Sequence, residues 1–577
     1  MCGIFALLNN TEYNHEQINT EFVKGKNRGP EFSKLETNFM KMILGFHRLA
    51  INGLNDESNQ PLIIDDIVLI CNGEIYNYKQ LYKYMDVEPK TGSDCEVIIH
   101  LYLKYGIEQT LTMLDGVFAF VLLDNRLKLN DITNTVYIAR DPYGVRPLYQ
   151  LKSVSNSVGA DDYFYGFSSV LKCLSVFYNS NHENPTKNSS LTKFQPGTYS
   201  TFKLTNKVNT HWLPVNESTP YIIPSFSHSW LINDSTSSTF IKNMYEKIAC
   251  YLNAAVRKRC LTTERPIACL LSGGLDSSLI AALVNNFYHK MDLPNKLETY
   301  SIGLEGSEDL KYARIVADYL GTNHTEIIVT EQEMFEAIPE VIHTIESYDT
   351  TSVRASIGNY LLGKYISKHS QAKVIFNGDG SDELLGGYLY MNKCPDDIEF
   401  DKETRRLLKD IHLFDVLRSD KSISSHGLEP RTPFLDRSFV NFVLSIPPYF
   451  RNPKNFEECE KYILRKSFTS SIFLDYKMEQ ILPDIILWRK KEAFSDGVSS
   501  HGRSLYQILQ EKIANHLNSE KETIDFIPCI ETEKYYYSKL FNTYFPNCEH
   551  ILPYFWMPKY TNANDPSART LAFYTTN

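Results

Sequence analysis

The chain has 577 residues, with 59 Lys and Arg against 69 Asp and Glu, a net charge of −10 with histidine neutral. With 43% hydrophobic and 22% charged residues it is too apolar for a disordered chain, and the acidic balance speaks against a surface built to coat nucleic acid or anionic membrane. At roughly 100–200 residues per domain, the length predicts three to five domains or fewer large ones. The longest apolar stretches, such as Val117–Leu123, fall far short of the roughly 18 residues of a membrane helix. Met1–Leu8 lacks the basic start and long apolar run of a secretory signal, so a cytoplasmic setting is expected. The 11 cysteines form no Cys-x-x-Cys pair, which argues against zinc clips and a disulfide framework. Ten read as small buried hydrophobes, and Cys2 stands apart by position.

In chain order, short β-type runs come first: Cys2–Leu8, Ile67–Cys71, Val117–Leu123, Val136–Ala139 and Tyr163–Phe167. Turns such as Asp141-Pro142-Tyr143-Gly144 separate them, and Glu96–Tyr105 has helical periodicity. This pattern predicts antiparallel sheets with a few covering helices. A polar stretch with Pro214, Pro220 and Pro224 reads as a linker over 210–239. Strands and helices then alternate: Ile267–Leu271, Ser277–Asn286, Thr299–Leu304, Asp309–Leu320, Glu326–Val329, Glu333–Ser347 and Lys373–Phe376. Such alternation means βαβ units and a parallel sheet. From about Thr404 the chain reads as mostly helical. The expected plan is therefore two domains, 2–209 and 240–577.

Removal of Met1 would give Cys2 both a thiol and a free α-amine, and an amine of pKa near 7.7–8.0 can take the thiol proton. Asn72 and Gly73 offer an amide and a backbone N–H, the donors an oxyanion needs. Glu74 and Asp94 could hold a substrate ammonium, and Arg48 a carboxylate. Cys2-Gly3-Ile4, His47–Ile51, Asn72–Asn77, Ser93–Glu96 and Arg140–Leu148 occur in this order. Together they resemble the glutaminase domain of class II amidotransferases, an N-terminal-nucleophile α+β fold. The resemblance implies that Cys2 attacks the glutamine amide while Asn72 and Gly73 stabilise the oxyanion. It also implies that Arg48, Asn72, Gly73, Glu74 and Asp94 bind glutamine.

Leu271-Ser272-Gly273-Gly274-Leu275-Asp276-Ser277-Ser278 joins a buried strand to a helix, where glycines and a helix N-terminus favour an anion. It has no Walker A lysine. Asn377-Gly378-Asp379-Gly380-Ser381-Asp382-Glu383 brings three acids onto a second Gly-rich loop, suited to Mg²⁺ beside phosphates. The first loop resembles the pyrophosphate loop of the ATP pyrophosphatases, an α/β parallel-sheet fold.

With Ser301–Ser307, Tyr348–Ser356, Gly427–Asp436, Lys491–Gly497, Trp556–Lys559 and Asp565–Arg569, the C-terminal half resembles the asparagine synthetases over nearly its whole length. That resemblance implies aspartate, ATP and glutamine as substrates, with Mg²⁺, a β-aspartyl-AMP intermediate and a homodimer. The implied ATP-binding residues are Leu271, Ser272, Gly273, Gly274, Asp276, Ser277, Ile302, Asn377 and Gly378. Thr351 and Arg354 fall to aspartate and its adenylate, Asp276 and Asp382 to the metal, and Lys491 to the phosphate charge. Asp379 stands where the family has Glu, one methylene longer, and Asn377 where it has Ser. Three rivals are an amidotransferase acting on another carboxylate, a β-lactam-forming relative and a non-catalytic sensor. The Tyr348–Ser356 and Lys491–Gly497 segments oppose the first, Cys2 opposes the second, and the intact Cys2, Asn72, Asp276, Asp382 and Lys491 oppose the third.

Overall fold

The computed structural model describes the chain except residues 127–133, 155–162, 183–188, 206–209, 223–237, 458, 470–479, 501, 521–524, 573 and 575–577. It divides into two units. One is Met1–Ile223 with Ser424–Glu429 and Phe541–Ile551; the other is Pro224–Ile423, Pro430–Leu540 and Leu552–Asn577.

The described strands of the first unit are β1 (Gly3–Leu8), β2 (Phe32–Phe39), β3 (Met42–Arg48), β4 (Leu62–Ile64), β5 (Ile67–Ile75) and β6 (Gly116–Asp124). They continue with β7 (Thr135–Arg140), β8 (Tyr149–Val154), β9 (Tyr163–Ser168), β10 (Ser190–Lys193), β11 (Thr198–Leu204) and β12 (Trp212–Pro220). Two six-stranded sheets result, in the orders β10-β8-β9-β1-β3-β2 and β12-β11-β7-β6-β5-β4, and the pairings are antiparallel. Period-two side-chain alternation explains how they stack. Ile4, Ala6 and Leu8 of β1 share a buried cluster with Val68 and Ile70 of β5 and Val121 of β6. The opposite face of β5, Leu69 and Cys71, packs with Ile98, Leu101 and Tyr102 of the helix Val97–Met113. On the outer side of β1, Phe5 lies 5.9 Å from Phe22 of the helix His15–Val23. The α+β layering expected from the sequence is therefore observed.

One boundary differs. Trp212–Pro220, read as part of the linker from its prolines, is a strand paired with β11. It tolerates Pro214 and Pro220 because it lies at the sheet edge, where a missing N–H breaks no interior ladder. Trp212 is fully buried and anchors the strand, its indole donating to Met40 O at 2.9 Å. Pro224 and most of the rest of the expected linker lie outside the described residues.

In the second unit β13 (Ile267–Leu270), β14 (Glu298–Gly303), β15 (Asn323–Ile328), β16 (Val374–Phe376) and β17 (Glu429–Arg431) form a sheet of order β15-β14-β13-β16-β17. β13 pairs in parallel with both β14 and β16, and β14 with β15. The chain builds outward from β13 to one side, then returns to the other. That reversal opens a crevice beyond the carboxyl ends of the strands, where such sheets bind ligands. The helix expected over Glu333–Ser347 is instead two, Glu331–Glu336 and Ile338–Ile345. Pro339 falls in the first turn of the second; it cannot donate to a preceding carbonyl, so one helix cannot run through it.

Candidate active sites

In the first unit the expected site residues include Cys2 at the start of β1 and Asn72, Gly73 and Glu74 at the end of β5. The Cys2 thiol is 3.7 Å from Leu49 O, and burial raises its pKa. Met1 precedes it, with its amine buried 4.0 Å from Glu429. Arg28 donates to the Cys2 carbonyl at 3.0 Å. Ser169 ties the two segments together: its hydroxyl accepts from Ile4 N at 3.0 Å and lies 3.4 Å from Asn72 Nδ2. Asn72 is fully buried, and its Oδ1 has no hydrogen-bond partner. Gly73 is required by close packing, since a Cβ there would meet Val117 O at 2.7 Å.

Glu74 and Asp94 are both buried and meet at one amide. Asn52 Nδ2 donates to Glu74 at 2.9 Å and to Asp94 at 3.5 Å, and Asp94 also accepts from Ile75 N at 2.7 Å. Arg48 is anchored beside them. It donates to Asn55 O at 2.9 Å, Asn59 Oδ1 at 2.7 Å, Asn52 O at 3.3 Å and Gly53 O. Its fork holds the 52–59 loop, which carries Asn52 to the two acids.

In the second unit, Leu271, Ser272, Gly274, Asp276, Ser277, Ile302, Asn377 and Gly378 line one cleft at the carboxyl ends of β13, β14 and β16. Thr351, Asp379, Asp382 and Lys491 line it too. Gly273 supports the loop from behind. Its φ is +70°, and a Cβ would lie 2.4 Å from Ala313 N, so only glycine fits. Ser272 and Ser277 hydroxyls are 2.9 Å apart, and Gly274 caps the helix Leu275–Lys290, leaving its N-terminus toward the cleft.

Charge concentrates where the two Gly-rich loops meet. Asp276 accepts from Ser381 Oγ at 2.7 Å, while Lys491 lies 2.6 Å from Asp382 and 4.0 Å from Asp276. Lys461 bridges the same two carboxylates at 2.5 Å each. The lysines outweigh burial and hold the Asp382 carboxyl well below the usual range; Asp382 and Asp276 in turn raise Lys491. Two carboxylates sharing one cation at this range fit the donor set of Mg²⁺, which takes one or two carboxylates and completes its shell with phosphates and water.

Asn377 lines the cleft, and its amide is engaged within the protein. It donates to Asp379 Oδ2 and Ser419 Oγ, both at 2.7 Å, and Arg418 lies 3.3 Å from the other Asp379 oxygen. Burial raises the Asp379 carboxyl. Arg354 is the clearest departure. Its guanidinium is buried and clasped by Glu533 at 2.8 and 2.5 Å and by Asp565 at 2.7 and 2.8 Å. It belongs to an internal ion network and does not line the cleft. Sequence reasoning passed over Lys461, Ser169 and Asn52, because none sits in a motif whose chemistry announces it.

The fold and sites define a two-unit chain: a unit of layered antiparallel sheets with Cys2 at its first strand, then a parallel-sheet unit with a cleft lined by two Gly-rich loops. Residues 1–218 match the glutamine amidotransferase domain, and residues 247–398 and 392–550 match asparagine synthase. The chain is 41% identical over 587 residues to the glutamine-hydrolyzing asparagine synthetase of Gallus gallus, covering 100% of this chain and 99% of that one. It is 39% identical over 592 residues to that of Homo sapiens, with the same coverage. The chain belongs to the asparagine synthase family. An NMN synthetase structure from Francisella tularensis is also similar, at 13% identity and TM-score 0.23 over 55% of this chain and 98% of that one, too low to bear on it.

Proposed function

We propose that the chain makes asparagine from aspartate and ATP, with nitrogen from glutamine, through β-aspartyl-AMP and with release of AMP and pyrophosphate. The observation that carries this reading is the meeting of Asp276, Asp382, Lys461 and Lys491 at the mouth of the Gly-rich loop, in a chain matched end to end by such synthetases.

In the glutaminase unit, Met1 removal frees the Cys2 α-amine as base, and the Cys2 sulfur attacks the glutamine side-chain amide. Asn72 Nδ2 and Gly73 N–H take the oxyanion, whose charge is worth most in a buried site. The proton goes to the departing ammonia, and water then releases glutamate. Glu74 and Asp94 receive the substrate ammonium, a partner that two neighbouring buried carboxylates favour. Arg48 shapes the loop around them.

In the synthetase unit, Ser272, Gly274 and Ser277 cradle the phosphates, and Leu271 and Ile302 cover the adenine. The aspartate side-chain carboxylate attacks the α-phosphorus and pyrophosphate leaves, with Lys491 countering the developing charge. Asp276 and Asp382 would hold Mg²⁺, which neutralises the phosphates. Thr351 lies where aspartate enters, and its buried Oγ1 has no partner to displace. Asp379 takes a proton from ammonia as it attacks the adenylate. A cytoplasmic homodimer completes the reading, and sedimentation of the purified protein tests the dimer.

Incubation with ATP, Mg²⁺, aspartate and glutamine should yield asparagine and pyrophosphate in equal amounts. No aspartate-dependent pyrophosphate with either glutamine or ammonia would sink the proposal.

A further inference from the structure

Lys461 lies outside every recognisable motif, yet it sits at the centre of the charged cluster. Its ammonium is 2.5 Å from Asp276 Oδ2 and 2.5 Å from Asp382 Oδ1, and the residue is 1% exposed. It is placed there deliberately in two respects. Its backbone is left-handed, φ +56°, an uncommon conformation for a residue with a side chain. Its stem runs against Gly387, where a Cβ would lie 2.0 Å from Lys461 Cε and 2.1 Å from Asp382 Oδ1, so a side chain there would push the pair out of place. Strain of this kind persists where the surroundings enforce it, and such places are often functional.

The carboxylates it bridges are those assigned above to Mg²⁺, so the inference rests on that reading. A divalent cation arriving alone must compete with an ammonium already seated between its two ligands. Magnesium also gives up water reluctantly and relies on phosphate oxygens to complete its shell. Arriving with a nucleotide, it brings oxygens that can receive the displaced ammonium. We propose that Lys461 is a positioning residue that holds Asp276 and Asp382 together and makes magnesium binding depend on the nucleotide. Lys491, 2.6 Å from the other Asp382 oxygen, remains as the cation for the reacting phosphates.

Calorimetric titration of the full chain with magnesium chloride, without nucleotide, tests this. Lys461→Met should bind magnesium alone at least tenfold more tightly than the unaltered protein. The same variant should show a KM for Mg-ATP raised tenfold or more in aspartate-dependent ATP–pyrophosphate exchange. Lys461→Arg keeps the charge and should bind magnesium alone as weakly as the unaltered protein. Equal magnesium affinity in Lys461→Met, with its unfolding midpoint preserved, overturns the proposal. So does tight magnesium binding by the unaltered protein in the absence of nucleotide, a measurement that needs no variant to fold. Failure of the metal reading looks different: Asp382→Asn would then bind magnesium with a non-hydrolysable ATP analogue as tightly as the unaltered protein.

Discussion

Cys2 and Arg354 show how differently single residues can be read. Cys2→Ala should abolish glutamine-dependent asparagine synthesis and leave ammonia-dependent synthesis at its normal rate; survival of both activities removes Cys2 as nucleophile. If Lys491 has its proposed role against the developing phosphate charge, Lys491→Met should lower kcat/KM for pyrophosphate release by on the order of a hundredfold or more. Arg354 is different, because its four close contacts are to Glu533 and Asp565. Arg354→Met would leave two buried carboxylates without their counter-charge and should destabilise the second unit by about 3–5 kcal/mol in urea unfolding. An Arg in a familiar motif segment reads as a substrate ligand until its partners are known, and Glu533 and Asp565 lie 179 and 211 residues away.

At the scale of elements, short apolar runs located β1, β5, β6, β7 and β9, while β2, β3, β4, β8, β10, β11 and β12 were not singled out, and of these β2, β10 and β12 are polar strands at sheet edges. Edge strands expose one side, so their composition drifts toward that of loops. The Gly-rich loop between β13 and its helix was legible because its conformation demands particular residues. Gly273→Ala tests that demand: at φ +70° with Ala313 N 2.4 Å from the new Cβ, the loop must shift. ATP–pyrophosphate exchange should fall below a tenth of normal while glutamine hydrolysis, housed in the other unit, continues. Normal exchange would mean the loop does not cradle phosphate.

For the whole molecule, each unit carries a neutral histidine held off solvent, His47 buried and His324 half-buried. His47 stacks on Phe22 at 4.0 Å and bonds Ser33 Oγ and Phe22 O; His324 lies between Thr299 and Ser301 hydroxyls. Burial lowers each pKa from 6.5 to about 4. Between those values the unfolded chain binds more protons than the folded one, so stability is full above pH 6.5 and drains as pH falls toward 4. His47→Gln and His324→Gln should each flatten that slope in pH-dependent thermal unfolding; unchanged slopes would assign acid sensitivity elsewhere. By itself the sequence singled out Cys2 as the candidate nucleophile, and it determined both Gly-rich loops, the fold class of each half and the reaction they serve, because these depend on local conformation and on residue types that few other chemistries use. Only the tertiary structure decided that Arg354 is an internal counter-ion, that Arg48 holds a loop, and that Lys461 sits between Asp276 and Asp382. Those roles are set by partners distant along the chain, which no local pattern encodes.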